Sequence, residues 1–261
     1  MQVTRRIGRS MLNKVPEVTL VFWLIKIMST TVGETGADYL AVHVGLGTSV
    51  TGLIMAALLA AVLAVQLRMG RYVPWVYWLT VVLVSIVGTQ ITDALTDKLE
   101  ISLYVSTALF ATALAATFAI WFAVERTLSI HSIVTTRREL FYWAAILFTF
   151  ALGTAAGDLA TEALGLGFNV GVVVFMALIA GVTAAYALGA NEVLAFWIAY
   201  ILTRPLGASF GDMLSQPRDY GGLGFGTIYT SLAFLAVIAA LVGWLSFADG
   251  SERTPEASPR A

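Results

Sequence analysis

The chain contains no cysteine, so disulfides, thiolate metal ligands and a cysteine nucleophile are excluded. Charged residues make up only 12% of the 261 residues, about half the share found in soluble domains. The sequence also lacks a His-Glu-x-x-His zinc motif and a phosphate-binding glycine loop with its lysine. We therefore expect a protein that is not an enzyme and that carries no cofactor.

Hydrophobic residues, by contrast, reach 59%, and apolar runs long enough to cross a bilayer recur along the whole chain. A segment in lipid must satisfy its own backbone hydrogen bonds, which favours helices. These runs predict an all-α polytopic membrane protein with about eight transmembrane helices. The predicted helices cover residues 17–41, 46–67, 73–96, 102–126, 139–163, 168–188, 191–214 and 226–247.

One pattern of five residues occurs four times. Each copy has an aromatic residue followed by Trp, a Gly ten residues after the Trp, a small residue four positions later, and an Asp directly after that. The copies are Phe22, Trp23, Gly33, Ala37, Asp38; then Tyr77, Trp78, Gly88, Thr92, Asp93; then Tyr142, Trp143, Gly153, Gly157, Asp158; and Phe196, Trp197, Gly207, Gly211, Asp212. Internal repetition of this kind indicates the architecture of the whole chain.

The pattern falls on predicted helices one, three, five and seven, so all four copies cross in the same direction. This predicts four parallel two-helix repeats related by an axis along the membrane normal. The corresponding division has a basic tail at 1–15 and a first membrane half at 16–130, with repeats one and two. A second half at 131–247 holds repeats three and four, and a polar, disordered tail covers 248–261.

The distribution of Lys and Arg predicts the orientation. Only Lys98 and Arg218 lie on the side where the Asp residues are expected. Eleven basic residues lie on the opposite side: Arg5, Arg6, Arg9, Lys14, Arg68, Arg71, Arg126, Arg137, Arg138, Arg253 and Arg260. By the positive-inside rule both termini are cytoplasmic, and the expected location is a bacterial inner membrane.

The repeated Asp residues are the main candidates for a binding site. The Gly and the small residue before each Asp form a face on which helices approach closely, so the four carboxylates are expected to converge. The position four before Asp lies on the same helical face and adds an oxygen in three copies. Oxygen ligands suit Mg²⁺, Mn²⁺, Ca²⁺ or a proton. The predicted metal ligands are Asp38, Asp93, Asp158 and Asp212, and Glu34, Thr89 and Thr154 complete the predicted cation site.

Two basic residues lie inside predicted spans, Lys26 in the first helix and Arg204 in the seventh. An unpaired ionisable group in the bilayer costs at least ~2.5 kcal/mol, so each is a candidate counter-charge for the acidic cluster. Simpler alternatives stay open for both residues. In the first, Lys26 extends its side chain to the membrane interface and pairs with nothing. In the second, Arg204 serves only to satisfy the backbone carbonyl that Pro205 frees in the same helix. The Asp residues are alternatively helix caps or solvated ends, and the Trp residues are expected to anchor at the interface.

Three stretches carry a resemblance to known proteins: KVPEVTLVFWLIKIMSTTVGETGADYL, FYWAAILFTFALGTAAGDL and AFWIAYILTRPLGASFGDMLSQP. They resemble a family of uncharacterised bacterial multi-pass proteins labelled as membrane-anchored, over nearly the whole chain from Lys14 to about residue 247. A distant likeness exists to small cation/proton exchangers that carry Glu-x-Gly-Asp-Lys/Arg-Thr/Ser in a helix. Residues 33–38 and Gly157-Asp158 are similar to that motif, but no copy has its basic residue.

Two functions follow as hypotheses. In the first, the protein transports a small hard cation, a divalent metal such as manganese, outward in exchange for protons. Closely spaced carboxylates repel each other, which couples protonation to metal release. In the second, the protein is a non-transporting scaffold or partner subunit whose repeated motif packs helices. The expected partners are the lipid bilayer and a small cation or proton, with no nucleic acid; the oligomeric state stays open.

Overall fold

The computed structural model describes residues 13–43 and 48–251, without the side chains of residues 37, 38, 40–43, 48 and 249–251. Within these limits the structure is helical and contains no strand. The side chains of Ala37 and Asp38, most of the basic N-terminal tail and nearly all of the polar C-terminal tail lie outside the described residues.

Eight long helices lie close to their predicted positions, which confirms an all-helical fold. We number them α1 to α8 in chain order. They are α1 Leu20–His43, α2 Thr48–Arg68, α3 Pro74–Asp93, α4 Leu103–Glu125, α5 Thr136–Asp158, α6 Gly167–Ala187, α7 Glu192–Ser215 and α8 Thr227–Ser251. Helices α2 to α8 are each long and apolar enough to cross a membrane, as in a multi-pass membrane protein.

Helix α1, whose side chains are described without a gap only over residues 20–36, is not among these seven. Its middle carries Ser29, Thr30, Thr31 and Thr35, all fully buried. Their hydroxyl groups hydrogen-bond to backbone carbonyls of α1 and α7 or to Ser231 of α8, so they are satisfied within the protein. A helix whose polar face is covered by its neighbours need not be as apolar as one that faces lipid.

Local sequence explains where several helices begin and end. Helix α3 begins at Pro74, where a missing backbone N–H costs nothing, and Ser102 and Thr135 cap the first turns of α4 and α5. Helices α3 and α5 each continue into one π-helical turn directly after the motif Asp. These turns are Ala94–Lys98 and Leu159–Ala163. Single π-helical turns occur often at functional sites.

The four motif helices form a closed ring, which we call the inner ring. Around it α1 contacts α3, α3 contacts α5, α5 contacts α7, and α7 returns to α1. Each even-numbered helix packs outside the inner helix of the next repeat: α2 on α3, α4 on α5, α6 on α7 and α8 on α1. Half or more of each span is buried in α3, α5 and α7, against at most 17% in the even helices. The four repeats therefore follow one rotational pattern about a central axis.

The aromatic pairs of the motif connect neighbouring repeats at one end of the ring, which we call the aromatic end. The first aromatic ring of each repeat packs on the Trp of the next repeat, with centroids 5.4–6.2 Å apart. The pairs are Phe22–Trp78, Tyr77–Trp143, Tyr142–Trp197 and Phe196–Trp23. Trp78, Trp143 and Trp197 are buried, so the expectation that they anchor at the lipid interface is wrong. They fill the spaces between inner helices instead.

The motif glycines allow close contact between neighbouring inner helices, as predicted for a Gly-xxx-small face. A Cβ atom at Gly33 would meet the Ser85 side chain, with only 2.6 Å to Ser85 Cβ. At Gly88 it would lie 2.8 Å from Phe150 Cβ. The next two contacts repeat the same register, Gly153 against Arg204 and Gly207 against Thr30. In every case the partner lies three residues before the next glycine, so the same contact closes the ring from α7 to α1.

A buried polar cluster near the aromatic end has no counterpart in the sequence predictions. The Lys14 ammonium donates to Glu139 Oε2 of α5 at 2.7 Å and to the Leu67 carbonyl at 3.1 Å. Gln66 donates to the other oxygen of Glu139 at 2.9 Å. Lys14 and Glu139 are both buried, so residues 13–15 belong to the folded bundle and not to a solvated tail.

Candidate functional site

Arg204 lies at the centre of the inner ring and contacts all four of its helices. One guanidinium nitrogen, Nη2, donates to Glu34 Oε2 of α1 at 2.6 Å and to Thr154 Oγ1 of α5 at 2.7 Å. The Thr89 hydroxyl of α3 is a third acceptor, so the two N–H groups of Nη2 are shared among three oxygens. The other nitrogen, Nη1, reaches the Thr30 carbonyl of α1 at 3.3 Å. Since Arg204 extends from α7, one fully buried side chain joins the four repeats.

The three oxygen-bearing residues around Arg204 occupy one repeat position. Glu34, Thr89 and Thr154 each follow the motif Gly directly, and Ala208 holds this position in the fourth repeat. The sequence grouped these side chains as part of a cation site, and the structure brings all three together. The group at their centre is a guanidinium of the same chain. Arg204 forms an ion pair with Glu34, and its role as a counter-charge to a bound cation stays a prediction.

The hydrogen bonds of Arg204 also show which groups this buried side chain satisfies. The alternative was that Arg204 satisfies the carbonyl that Pro205 frees in its own helix. Within the described part of the chain, its hydrogen bonds go instead to α1, α3 and α5. Breaking a buried ion pair by removing one partner typically costs about 3–5 kcal/mol, because the other charge stays buried without compensation. Arg204 and Glu34 are therefore strongly interdependent.

The motif aspartates lie beyond this centre, at the end of the ring that we call the acidic end. Asp158 interacts electrostatically with Glu34, Glu162 and Asp93, which repel it, and with Arg204, which attracts it. Asp93 and Asp212 are partly buried. Within the described side chains, which do not include Asp38, no three His, Asp or Glu residues lie close enough to hold a metal ion. Convergence of all four aspartates stays a prediction.

The described oxygen donors nevertheless define what could bind here. The carboxylate of Glu34 and the hydroxyls of Thr89 and Thr154 surround one point, with Asp158 in electrostatic range. Carboxylate and hydroxyl oxygens are hard ligands that suit Mg²⁺ or Mn²⁺ better than a soft metal. Arg204 occupies that point, so a metal ion would compete with the guanidinium for the same oxygens.

Lys26 lies on α1 between this centre and the aromatic end. Its side chain is fully buried, and its Nζ makes no hydrogen bond to any residue of the described part. The ammonium lies 4.0 Å from the ring centroid of Phe150 and 4.3 Å from that of Tyr200. A desolvated cation–π contact contributes about 2 kcal/mol, which is comparable to the lowest cost of an unpaired charge in a membrane. The side chain does not reach the interface, so the alternative of a Lys26 that extends to solvent is wrong.

Three buried tyrosines surround the axis between Lys26 and the aromatic end. The hydroxyl oxygens of Tyr77 and Tyr142 are 2.5 Å apart, and the ring of Tyr200 contacts the Lys26 ammonium. Sequence reasoning treated Tyr77 and Tyr142 only as members of the aromatic pairs. The signal that distinguishes them is that the two middle repeats carry Tyr where the outer repeats carry Phe22 and Phe196. A hydroxyl placed only in those copies indicates a polar role in the ring.

One motif escaped the sequence reading. Residues 207–211 spell Gly-Ala-Ser-Phe-Gly, which matches the Gly-x-Ser-x-Gly pattern of hydrolases. That pattern carries chemistry only where the serine lies on a sharp turn between a strand and a helix. Ser209 lies within α7 and is buried, with no hydrogen-bond partner for its hydroxyl among the described residues. The glycines serve close helix packing, and the motif gives no support for a hydrolase.

The repeats of this chain match a known family model. The model, described as Repeat of Unknown Function (DUF347), matches residues 21–72, 76–127, 141–189 and 195–251. Each match begins one residue before an aromatic pair of the motif, which confirms the four repeats. No curated protein and no solved structure matches the chain. The likeness to small cation/proton exchangers stays a prediction.

Proposed function

The chain belongs to the family of this repeat, and we propose that it transports a small hard cation along the axis of the inner ring. The observation that carries the proposal is the Glu34, Thr89 and Thr154 oxygen cluster, which holds a positive group at the centre of the ring. In the absence of the cation, Arg204 neutralises Glu34. When the cation binds, it takes the place of the guanidinium among these oxygens.

The acidic end supports a path to this centre. Asp158 and Asp93 lie in electrostatic range of each other, and Asp158 also interacts with Glu34. Negative groups at a mouth raise the local concentration of cations. Asp38 and Asp212 complete the motif and are proposed to line the same entrance. The proposed cargo is a divalent metal such as manganese, exported across a bacterial inner membrane in exchange for protons, with both termini cytoplasmic.

The experiment is a flux assay with the purified protein in vesicles. Mn²⁺ uptake is followed with a metal-sensitive dye inside the vesicles, with and without a pH gradient. We expect uptake by the wild type and at least a tenfold lower rate for Glu34→Gln and Asp158→Asn. The matched control is Asp219→Asn, an exposed carboxylate near the acidic end, which should transport at the wild-type rate. A wild type that moves no Mn²⁺ in either gradient would overturn the proposal.

One observation favours a second function, that of a non-transporting scaffold or partner subunit. Arg204 already bonds to α1, α3 and α5, and these bonds could serve only to hold the ring together. In that case Arg204→Met lowers the unfolding temperature, and the wild-type protein in vesicles moves neither Mn²⁺ nor protons. The same vesicles distinguish the two functions, because only the first predicts ion movement.

A further inference from the structure

Lys26 is a buried basic group in the centre of the bundle that takes no part in the Glu34, Thr89 and Thr154 cluster. The chain has three lysines. Lys14 is paired with Glu139, and Lys98 donates to Ser49 at 2.8 Å near the acidic end. Lys26 alone of the three is enclosed by aromatic rings, with no acceptor for its Nζ in the described part of the chain. A buried amine in such surroundings can hold or lose its proton without a change of hydrogen bonds.

The neighbours of Lys26 leave its charge uncompensated. From α7 it faces Tyr200 and Arg204, and Arg204 repels it. From α5 it faces Phe150, with Tyr142 nearer the aromatic end, and Tyr77 of α3 bonds to Tyr142. Glu34, the carboxylate of the oxygen cluster, already pairs with Arg204. Since arginine keeps its proton in proteins and lysine can lose it when buried, Lys26 is the basic group able to change charge.

A cation in the oxygen cluster would act on Lys26 directly. Glu34 lies two helical turns beyond Lys26, about 12 Å along the axis. At that distance and an effective dielectric constant of about 20, each added unit charge weakens proton binding by the amine about tenfold. A divalent ion therefore weakens proton binding by the Lys26 amine about a hundredfold. A hundredfold change removes most of one proton from an amine that is about 90% protonated before the ion binds.

We propose that Lys26 is the proton-carrying group of the transporter: its ammonium releases one proton when a divalent cation binds beside Glu34, and its amine takes one up when the cation leaves. No bond other than N–H changes, and the proton passes to solvent. The hydroxyls of Tyr77 and Tyr142, which lie towards the aromatic end, provide acceptors and donors for that passage. The inference rests on the proposed cation transport and names the group that couples it to protons.

The test measures metal binding and proton release separately. Mn²⁺ is titrated into purified protein in detergent by calorimetry, and protons are counted in weak buffer with a pH indicator dye. We expect the wild type to release about one proton for each bound ion. Lys26→Met should still bind Mn²⁺ but release none. Lys98→Met removes an exposed lysine and should behave as the wild type.

A second variant guards against misfolding of Lys26→Met. Lys26→Arg keeps the positive charge but holds its proton permanently, so it too should bind Mn²⁺ with no release. Equal proton release by the wild type and by either variant that binds Mn²⁺ would overturn the role of Lys26 and leave the transport proposal intact. If the wild type binds no Mn²⁺, both the transport proposal and this inference fail.

Discussion

The guanidinium of Arg204 and the carboxylate of Glu34 form an ion pair of 2.6 Å at the centre of the inner ring, although 170 positions separate them in sequence. The pair joins α7 of the last repeat to α1 of the first. It thereby closes, with hydrogen bonds, a ring that glycine contacts and aromatic pairs also close. The features proposed to carry function and those that hold the repeats together are in part the same residues.

Loss of Arg204 should destabilise the protein strongly. In Arg204→Met, Glu34 stays buried without its partner, so we expect the free energy of unfolding to fall by about 3–5 kcal/mol. The measurement is unfolding in detergent, followed by Trp fluorescence or calorimetry. Arg218→Met removes an exposed arginine and should change stability by no more than about 0.5 kcal/mol. Removing both charges in Arg204→Met/Glu34→Met should cost less than Arg204→Met alone; a larger loss in the double variant would contradict the pairing.

A methyl group at Gly33 should separate α1 from α3. Gly33→Ala would place Cβ only 2.6 Å from Ser85 Cβ, and such overpacking costs about 1–3 kcal/mol of unfolding free energy. The control is Gly181→Ala in α6, where no atom lies within 4 Å of the added group. That change should be neutral or stabilise by up to ~1 kcal/mol, because alanine favours helix. Thermal unfolding of both variants in the same detergent gives the comparison.

The contact also predicts a compensating change. Ser85→Gly removes the side chain that the new methyl group would meet, so Gly33→Ala/Ser85→Gly should recover part of the lost stability. Additive losses in the double variant would show that Gly33 and Ser85 do not face each other.

Closure of the ring can be tested by cross-linking, since the chain has no cysteine of its own. A Cβ at Gly211 of α7 would lie 3.3 Å from Thr31 Cγ2 of α1, the atom whose place a cysteine sulfur at position 31 can take. We expect Thr31→Cys/Gly211→Cys to oxidise to an intramolecular disulfide. With a protease site inserted between α6 and α7, the cleaved halves should stay joined on a gel until reductant is added. Thr31→Cys/Leu194→Cys is the control, because the exposed Leu194 also lies on α7 but 17 residues before Gly211, about 25 Å away along the helix. It should separate without reductant; separation of the test pair would refute the α1–α7 contact.

Much of the fold followed from local patterns. The length of the apolar runs predicted eight helices, and the repeated spacing predicted parallel two-helix units. Grouping Glu34, Thr89 and Thr154 was also possible, because one position in a repeat must occupy one place around a rotational axis. The tryptophans were misassigned for a physical reason. In a membrane protein both the interior and the lipid-facing surface are apolar, so hydrophobicity does not tell a buried Trp from an interfacial one.

The sequence by itself therefore determined the number of repeats, their common direction and the shared position of Glu34, Thr89 and Thr154, since each depends on spacing along a helix. Only the tertiary structure decided which residue each of these positions meets. Lys26 between Phe150 and Tyr200, Lys14 on Glu139, and Arg204 among Glu34, Thr89 and Thr154 are contacts between helices far apart in the chain. Such contacts arise when repeats that are distant in sequence meet around the ring, and no local pattern records which residues then meet.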